Sequence, residues 1–244
     1  MSSERAGHLA NLGYRDTYVA HLRSRLPEGW TPFSDFFGNL NRLRTLSGLL
    51  DRHLKGRGLT VLNIGCGPFA TEIFVRALQG QQIVSFDYTA EFAPFYPVFR
   101  ADGHLTKTAF LRADALSVGF RPESFDAIVI HDVLYETGLD LDDLLERFAP
   151  TLKPGGLVYL DAMNESTRRL WRMLGKEKAY RRYRREDVMA SLRRHGFEVA
   201  EWRPVFGASG RLLRLFHAVL WHGARLCNTF AVVAVKVRPV KTSP

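Results

Sequence analysis

A short apolar run that ends in two closely spaced glycines is the feature that most constrains how this chain folds. Residues 59–72 read LTVLNIGCGPFATE, so Gly65 and Gly67 stand between an apolar run and an amphipathic segment. A side chain at either position would block a tight turn from strand to helix and keep the backbone away from a ligand. The stretch therefore predicts the glycine loop of a nucleotide-type cofactor site, a pattern that becomes specific only in combination with further motifs.

Further apolar runs come later in the chain, and helical patterns alternate with them. The second run ends in Asp87, twenty residues after Gly67, where an acid at a strand end can accept hydrogen bonds from ribose hydroxyls. Strands are predicted at 60–64, 82–86, 109–112, 126–130, 156–161, 197–202 and 229–237, and helices at 38–55, 70–79, 139–150 and 186–195. A short or broken helix is expected over 91–104, because Pro94 and Pro97 interrupt it. The alternation predicts an α/β fold with a doubly wound parallel sheet.

The motifs NIGCGP, SFD, RADA, SFDAIVIHD and LKPGG occur in this order and resemble those of the class I S-adenosylmethionine-dependent methyltransferases. The resemblance covers residues 59–238 and implies a Rossmann-like, mostly parallel sheet of seven strands with an antiparallel last strand. On this basis, residues 1–55 are interpreted as an N-terminal helical cap or lid. Residues 56–244 are interpreted as the methyltransferase domain, with a helical insertion near 206–228.

Nicotinamide dehydrogenases are the nearest alternative. Gly65, Gly67 and Ala70 also satisfy their loop pattern, so spacing alone leaves this alternative open. Short-chain dehydrogenases of this length rely on a Tyr-x-x-x-Lys pair, and no tyrosine here has a lysine four residues later. Other dehydrogenases need a second domain, for which 244 residues leave little room. The methyltransferase interpretation is therefore favoured.

The resemblance implies that S-adenosyl-L-methionine is the cofactor and indicates which residues hold it. Gly65 and Gly67 would let the backbone reach its methionine and ribose parts. Asp87 would hold the ribose hydroxyls, and Tyr88 would lie against the adenine. For each of these residues, the structural alternative is an ordinary turn or capping residue.

Three further positions carry over from the family motifs. Asp114 would accept a hydrogen bond from the adenine amino group, and the Ala115 amide would face the ring. Asn63 stands where the family often has Asp or Glu, so it adds no negative charge but can still hydrogen-bond near the amino group of the ligand. Phe69 replaces a small residue, and it would either crowd the loop or pack underneath it.

The segment after the fourth predicted strand, IHDVLYE, lies at the carboxyl end of the sheet, where cofactor and acceptor meet. His131 can accept a proton near neutral pH and is the candidate general base, with lining of the cofactor through its backbone as the alternative. Asp132 would accept the proton instead or orient the acceptor. No metal is expected, because Asp132 and Glu136 alone make a poor metal site.

The net charge of +9 is unevenly distributed. Residues 164–244 hold 18 Lys and Arg against 6 Asp and Glu, a net of +12, which leaves 16 against 19, a net of −3, in residues 1–163. This asymmetry indicates either an anionic partner or a solvated cationic surface. The basic amphipathic segment 206–228 would bind an anionic membrane surface, line an apolar tunnel or pack as a helical hairpin. Nucleic acid is not the expected partner, and the oligomeric state is not predicted.

The remaining composition makes a cytoplasmic location the expectation. The N-terminal residues lack the apolar core of a signal peptide, no uncharged apolar run is long enough to span a bilayer, and Cys66 and Cys227 are the only cysteines. The expected function is methyl transfer to an O or N atom of a small, largely apolar or aromatic metabolite, in specialised metabolism. The alternatives are methylation of a lipid, RNA or protein, and a non-catalytic protein that binds S-adenosylmethionine as a partner.

Overall fold

The computed structural model of the chain describes residues 40–173, 175, 179–205, 215, 219 and 227–237. Most of the predicted N-terminal cap over 1–55 lies outside the described residues. The predicted insertion near 206–228 also lies outside them, apart from four of its residues. The division of the chain into a cap and a methyltransferase domain therefore stays a prediction.

The strands of the described residues form one seven-stranded sheet in the order β3-β2-β1-β4-β5-β7-β6. They are β1 (Thr60–Ile64), β2 (Gln82–Asp87), β3 (Thr108–Arg112), β4 (Phe125–Ile130), β5 (Leu152–Met163), β6 (Phe197–Val205) and β7 (Thr229–Lys236). Strand β7 pairs antiparallel with β5 and β6, whereas the other neighbouring strands pair in parallel. The predicted fold, with an antiparallel last strand, is confirmed.

Six α-helices accompany the sheet within the described residues. They are α1 (Leu40–His53), α2 (Ala70–Phe74), α3 (Phe95–Ala101), α4 (Leu141–Phe148), α5 (Arg168–Met173) and α6 (Arg185–Arg194). Helix α2 is shorter than predicted because Val75 is extended, with φ −89° and ψ 108°. Helix α3 is short, as the prolines predicted, and α5 was not predicted. None of the helices in the described ranges is both long and apolar enough to cross a bilayer.

Alternate residues of the strands face two different layers of the core. On one face, Leu62 and Ile64 belong to a cluster with buried leucines of α4 and α6. On the other face, Val61 clusters with Leu46 and Leu49 of α1. This alternation follows from the two-residue repeat of a strand and accounts for its continuously apolar sequence, since both faces are covered.

Helix α1 is tied to the sheet at both of its ends. Near its end, the Arg52 guanidinium donates to Glu201 of β6 at 3.1 and 3.2 Å, and His53 Nε2 lies 2.6 Å from the same carboxylate. Near its start, Arg42 reaches the carboxyl ends of β4 and β5, where it pairs with Asp132 and Asp161. The helix therefore brings a cation to the edge of the sheet where the glycine loop lies.

A buried polar cluster joins β1, β2 and α2 beneath the glycine loop. The amide of Asn63 donates to Glu72 Oε1 at 2.7 Å, and the hydroxyl of Ser85 donates to the same oxygen. All three side chains are buried, and Glu72 Oε2 has no hydrogen-bond partner among the described residues. Burial raises the pKa of Glu72 above its ordinary value, although the bonds from Ser85 and Asn63 oppose the shift. The pKa of this carboxyl is therefore higher in the folded chain than in the unfolded chain.

This cluster leads to a prediction about Glu72→Gln. An acid whose pKa is higher in the folded than in the unfolded chain costs the fold stability as pH rises above its unfolded pKa of about 4.3. Glutamine keeps an acceptor for Asn63 and Ser85 but cannot ionise. We therefore expect the variant to match the wild type at low pH and to become the more stable protein as pH rises above that value. Urea unfolding followed by tryptophan fluorescence at several pH values measures this difference.

Glu72→Ala is the matched control. It leaves two buried donors without an acceptor, which costs about 1–3 kcal/mol for each donor at every pH. A Glu72→Gln variant that loses stability relative to the wild type as pH rises would show instead that the folded protein holds Glu72 as a carboxylate.

Candidate active site

The glycine loop connects β1 to α2 and requires glycine at two positions. Gly65 and Gly67 have positive φ angles of 65° and 53°, in the left-handed region that other residues rarely adopt. A Cβ atom on Gly65 would also come within 2.5 Å of Val133 Cγ2. The amide of Cys66 donates to the carbonyl of Phe86 at 3.0 Å, which fixes the loop against β2. The backbone here can therefore approach a ligand as the sequence predicted.

Phe69, the bulky departure in the loop, packs underneath it. Its ring is fully buried and lies 5.1 Å from the ring of Phe110 and 6.0 Å from that of Phe99, both in edge-to-face contacts. Its backbone is left-handed, with φ 63°. Of the two possibilities raised by the sequence, the structure therefore shows packing beneath the loop.

Asp87 connects the end of β2 to the glycine loop. One carboxylate oxygen accepts from the Gly67 amide at 2.9 Å, and the other accepts from the Thr89 amide at 3.1 Å. Burial raises the pKa of Asp87, and these backbone donors partly offset the shift. The carboxylate retains lone pairs for further donors, since each of its oxygens can accept two hydrogen bonds.

Six of the residues predicted to hold the cofactor line one cavity of about 560 Å³. They are Gly65, Gly67, Asp87, Tyr88, Asp114 and Ala115. Tyr88 is 67% exposed, so its ring is available at the edge of the cavity. The Asp114 carboxylate also accepts from the Leu116 amide at 2.9 Å and the Ser117 hydroxyl at 3.0 Å, so it also orders its own turn.

Acidic side chains dominate the polar lining of this cavity. Among the described residues that line it, five are Asp or Glu and none is Lys, Arg or His: Asp87, Glu91, Asp114, Asp132 and Glu136. Such a lining favours a ligand that carries positive charge and disfavours one that carries phosphates. It therefore fits a sulfonium cofactor better than a dinucleotide with its pyrophosphate.

Asn63 is not part of this lining. Its side chain is buried and donates to Glu72 beneath the loop, so the geometry gives no support to its predicted contact with the ligand. His131 borders instead a smaller cavity of about 50 Å³, together with Arg42, Gly65 and Gly67. Asp132 lines both cavities.

A charged cluster surrounds His131 at the carboxyl ends of β4 and β5. The His131 Nδ1 atom lies 2.5 Å from Asp161 Oδ2, and the Asp132 amide donates to Asp161 Oδ1 at 2.9 Å. Arg42 forms ion pairs with both acids, at 3.0 Å for Asp161. The Tyr159 hydroxyl donates to Asp161 at 3.2 Å. Asp161 is thus the centre of the cluster, and its side chain has no solvent exposure.

Three members of this cluster, Asp161, Arg42 and Tyr159, were not predicted from the sequence as site residues. An acid inside the apolar strand LVYLDAM was the available signal for Asp161, because a buried carboxylate requires partners. Arg42 had no such signal, since it is one of several arginines in an amphipathic helix. The pairing of β4 with β5 in register, Ile130 with Leu160, is what brings His131 beside Asp161.

Aromatic residues line the cavity beyond the glycine loop. Tyr135 belongs to its lining, and its ring lies 5.2 Å from that of Tyr180. Burial is the main cause that raises the pKa of Tyr135, with Asp132 and Glu136 adding to it. The phenol therefore stays protonated near neutral pH and presents a ring and a hydroxyl donor rather than a charge.

Comparison with known proteins agrees with this geometry. Residues 62–160 match the family profile described as a methyltransferase domain. A similar curated protein is the highly reducing polyketide synthase pspA of Penicillium soppii, which is 32% identical over 120 residues. The match covers 45% of this chain but only 5% of that synthase.

Two solved structures with the same fold contain S-adenosylhomocysteine. The 1,6-didemethyltoxoflavin-N1-methyltransferase of Burkholderia thailandensis is 18% identical, with a TM-score of 0.58, and covers 91% of this chain and 90% of its own. The magnesium protoporphyrin IX methyltransferase of Synechocystis PCC 6803 is 13% identical, with a TM-score of 0.62, and covers 96% and 99%. Residues 62–160 are therefore a methyltransferase domain, and the sheet order and these structures show that the chain has the fold of class I S-adenosylmethionine-dependent methyltransferases.

Proposed function

We propose that this enzyme transfers a methyl group to an oxygen or nitrogen atom of a small, largely apolar or aromatic metabolite of specialised metabolism. The observation that carries the proposal is the 560 Å³ cavity, whose lining combines the glycine loop with Tyr135, Val133 and Leu139. One cavity thus offers both a cofactor surface and an apolar, aromatic surface. Pockets of this size and character suit small organic ligands.

The residues of the cavity fit the cofactor. Asp87 offers acceptor lone pairs to the ribose hydroxyls, while Gly65 and Gly67 leave room for the methionine part. Tyr88 and Asp114 line the same cavity and would hold the adenine. When bound, S-adenosylmethionine supplies an electrophilic methyl group on a positively charged sulfur, so the protein needs no nucleophile of its own. The acidic lining of the cavity complements that charge.

The protein then has to orient the acceptor, exclude water and take up its proton. Tyr135 and Leu139 provide apolar contact area for an aromatic or aliphatic acceptor. His131 is the proposed general base, because the Asp132 carboxylate is paired with Arg42. Holding acceptor and methyl carbon in line supplies on the order of 7–11 kcal/mol of the barrier.

The curated relative supports an acceptor from specialised metabolism. It is a polyketide synthase, and the part of it that resembles this chain is a small fraction of its length. The acidic lining argues against RNA or a phospholipid headgroup as the group that enters the cavity. A cytoplasmic location, like these acceptor assignments, is a proposal from the sequence.

The first experiment concerns the cofactor site. We expect calorimetric titration to show that the protein binds S-adenosylmethionine and S-adenosylhomocysteine but not NAD. Asp87→Ala should weaken both affinities at least about tenfold, because the variant loses an acceptor for two charge-assisted hydrogen bonds. Asp143→Ala, which removes an exposed carboxylate of α4, is the control and should bind like the wild type.

Binding of NAD in place of the two sulfur ligands would reject the proposed cofactor. Because Asp87 also accepts from the Gly67 and Thr89 amides, the thermal unfolding of each variant is recorded first. An Asp87→Ala protein that is folded and binds both ligands as tightly as the wild type would remove Asp87 from the site.

The second experiment concerns the acceptor. Phenols, aromatic amines and aliphatic hydroxy acids are tested for formation of S-adenosylhomocysteine, beside RNA and anionic phospholipid vesicles. We expect turnover with at least one of the small molecules and not with RNA or vesicles. His131→Gln should lower the rate of methyl transfer by about 10²–10⁴-fold, because a general base accelerates a reaction by about this factor. The affinity for S-adenosylhomocysteine should not change.

His195→Gln is the matched control, since His195 lies 3.3 Å from Asp142 at the end of α6. Its rate should equal that of the wild type. Turnover with RNA or vesicles alone would replace the small-molecule proposal, and binding of the cofactor without turnover on any acceptor would favour a non-catalytic partner.

A further inference from the structure

Four donors converge on the buried carboxylate of Asp161. Oδ2 lies 2.5 Å from His131 Nδ1 and 3.2 Å from the Tyr159 hydroxyl, and Oδ1 lies 3.0 Å from Arg42 Nη2 and 2.9 Å from the Asp132 amide. The carboxylate therefore accepts two hydrogen bonds at each oxygen, which is close to its full capacity.

Arg42 keeps this carboxylate charged. Its side chain is only 11% exposed, so little solvent screens its attraction to Asp161. Burial by itself opposes ionisation of Asp161, but Arg42 and His131 outweigh it and hold the pKa of the carboxyl well below its usual range. Asp161 is therefore an acceptor only at neutral pH, with no proton to donate.

An acceptor-only partner fixes the tautomer of a neutral imidazole. The contact between Nδ1 and Asp161 requires the ring proton on Nδ1, which leaves the lone pair of His131 on Nε2. Within the described part of the chain, Nε2 has no hydrogen-bond partner. The imidazole also borders the small cavity beside Gly65 and Gly67.

We infer that Asp161 is a positioning residue that holds His131 with its proton on Nδ1, so that Nε2 takes the proton of the acceptor, and that Arg42 keeps Asp161 in the charged form that this requires. The inference deepens the proposed function and rests on it for the role of Nε2. The tautomer and the charge state, in contrast, are properties of the free protein.

The proton step balances without any further reagent. For a hydroxyl acceptor, the hydrogen of the O–H moves to the Nε2 lone pair as the oxygen atom bonds to the methyl carbon, and the electron pair of the C–S bond stays on sulfur. For an amine, the nitrogen lone pair forms the bond to the methyl carbon, and the proton moves to Nε2 from the N–H that has become cationic. The resulting imidazolium is stabilised by Asp161 and later releases its proton to water. An acceptor that must lose a proton, such as a phenol, an enol or an aromatic amine, is the class that benefits from this arrangement.

Asp161→Asn tests the inference because it replaces one acceptor oxygen with an NH₂ group, which can only donate. Arg42 and the Asp132 amide can only donate, so the oxygen of the introduced amide must remain on their side. The amide NH₂ then faces His131 and the Tyr159 hydroxyl, and both can switch to accepting. His131 would accept at Nδ1 and carry its proton on Nε2, the atom that has to receive the acceptor's proton.

The experiment is ¹⁵N NMR of histidine-labelled protein, recorded without cofactor or acceptor from about pH 6 to about pH 10, so that the neutral ring is observed. His131→Gln assigns the signal. We expect the neutral wild-type ring to be protonated at Nδ1 and the ring of the Asp161→Asn variant at Nε2. A wild-type ring protonated at Nε2 would overturn the inference, and this result needs no variant to fold.

Activity provides the second arm. Asp161→Asn should lower methyl transfer by about the same factor as His131→Gln, on the order of 10²–10⁴, and the double variant should be no slower than either single variant. Binding of S-adenosylhomocysteine should persist in all three. The control is Asp142→Asn, which removes the carboxylate beside His195. It should change neither the tautomer of His131 nor the rate of methyl transfer.

The two arms separate the failure of the inference from that of the proposed function. If Asp161→Asn changes the tautomer of His131 but leaves the rate of methyl transfer unchanged, the role of Nε2 is refuted. The protein would still be a methyltransferase. An Nδ1–H ring in a protein that binds S-adenosylhomocysteine but methylates no acceptor would reject the proposed function and leave the tautomer assignment intact.

Discussion

The buried ion pair between Asp161 and Arg42 is the interaction on which the arrangement around His131 depends. Removing a charge from water costs several kcal/mol per ion, so the pair is sustained only because Asp161 accepts from three further donors. Arg42 is a residue of α1, whereas Asp161 and Tyr159 belong to β5. The position of His131 is therefore coupled to the docking of the helix that precedes the first strand.

The cavity beside the glycine loop is built in a different way. Its shape comes from backbone geometry, in that two left-handed glycines and the Cys66 amide hold the loop against β2. Asp87 both orders the loop, through the Gly67 amide, and offers lone pairs to the cavity. Backbone geometry depends on a few residues close together in sequence, whereas the cluster around His131 draws residues from α1, from β5 and from the segment that follows β4.

This difference explains what could be predicted from the sequence. The strands were predictable as short apolar runs because both faces of the sheet are covered. The glycine loop and Asp87 were predictable because the spacing of strand, turn and next strand is nearly constant in this fold. Arg42 was not, because its importance arises only when α1 meets the ends of two distant strands. The contact of Asn63 with Glu72 at 2.7 Å was not predictable either, since a pattern of residue types does not reveal which side chain a buried amide meets.

The fold accounts for part of the uneven charge distribution of the chain. Arg181 pairs with Asp140, and Arg194 pairs with Asp142, so acids of the first part of the chain face arginines of the second. The Arg185 guanidinium lies 4.9 Å from the centre of the Trp202 ring. Solvent-exposed ion pairs contribute little stability. They do engage cationic side chains, so Arg181, Arg185 and Arg194 have partners within the domain, and the positive charge of residues 164–244 is not by itself evidence for an anionic partner.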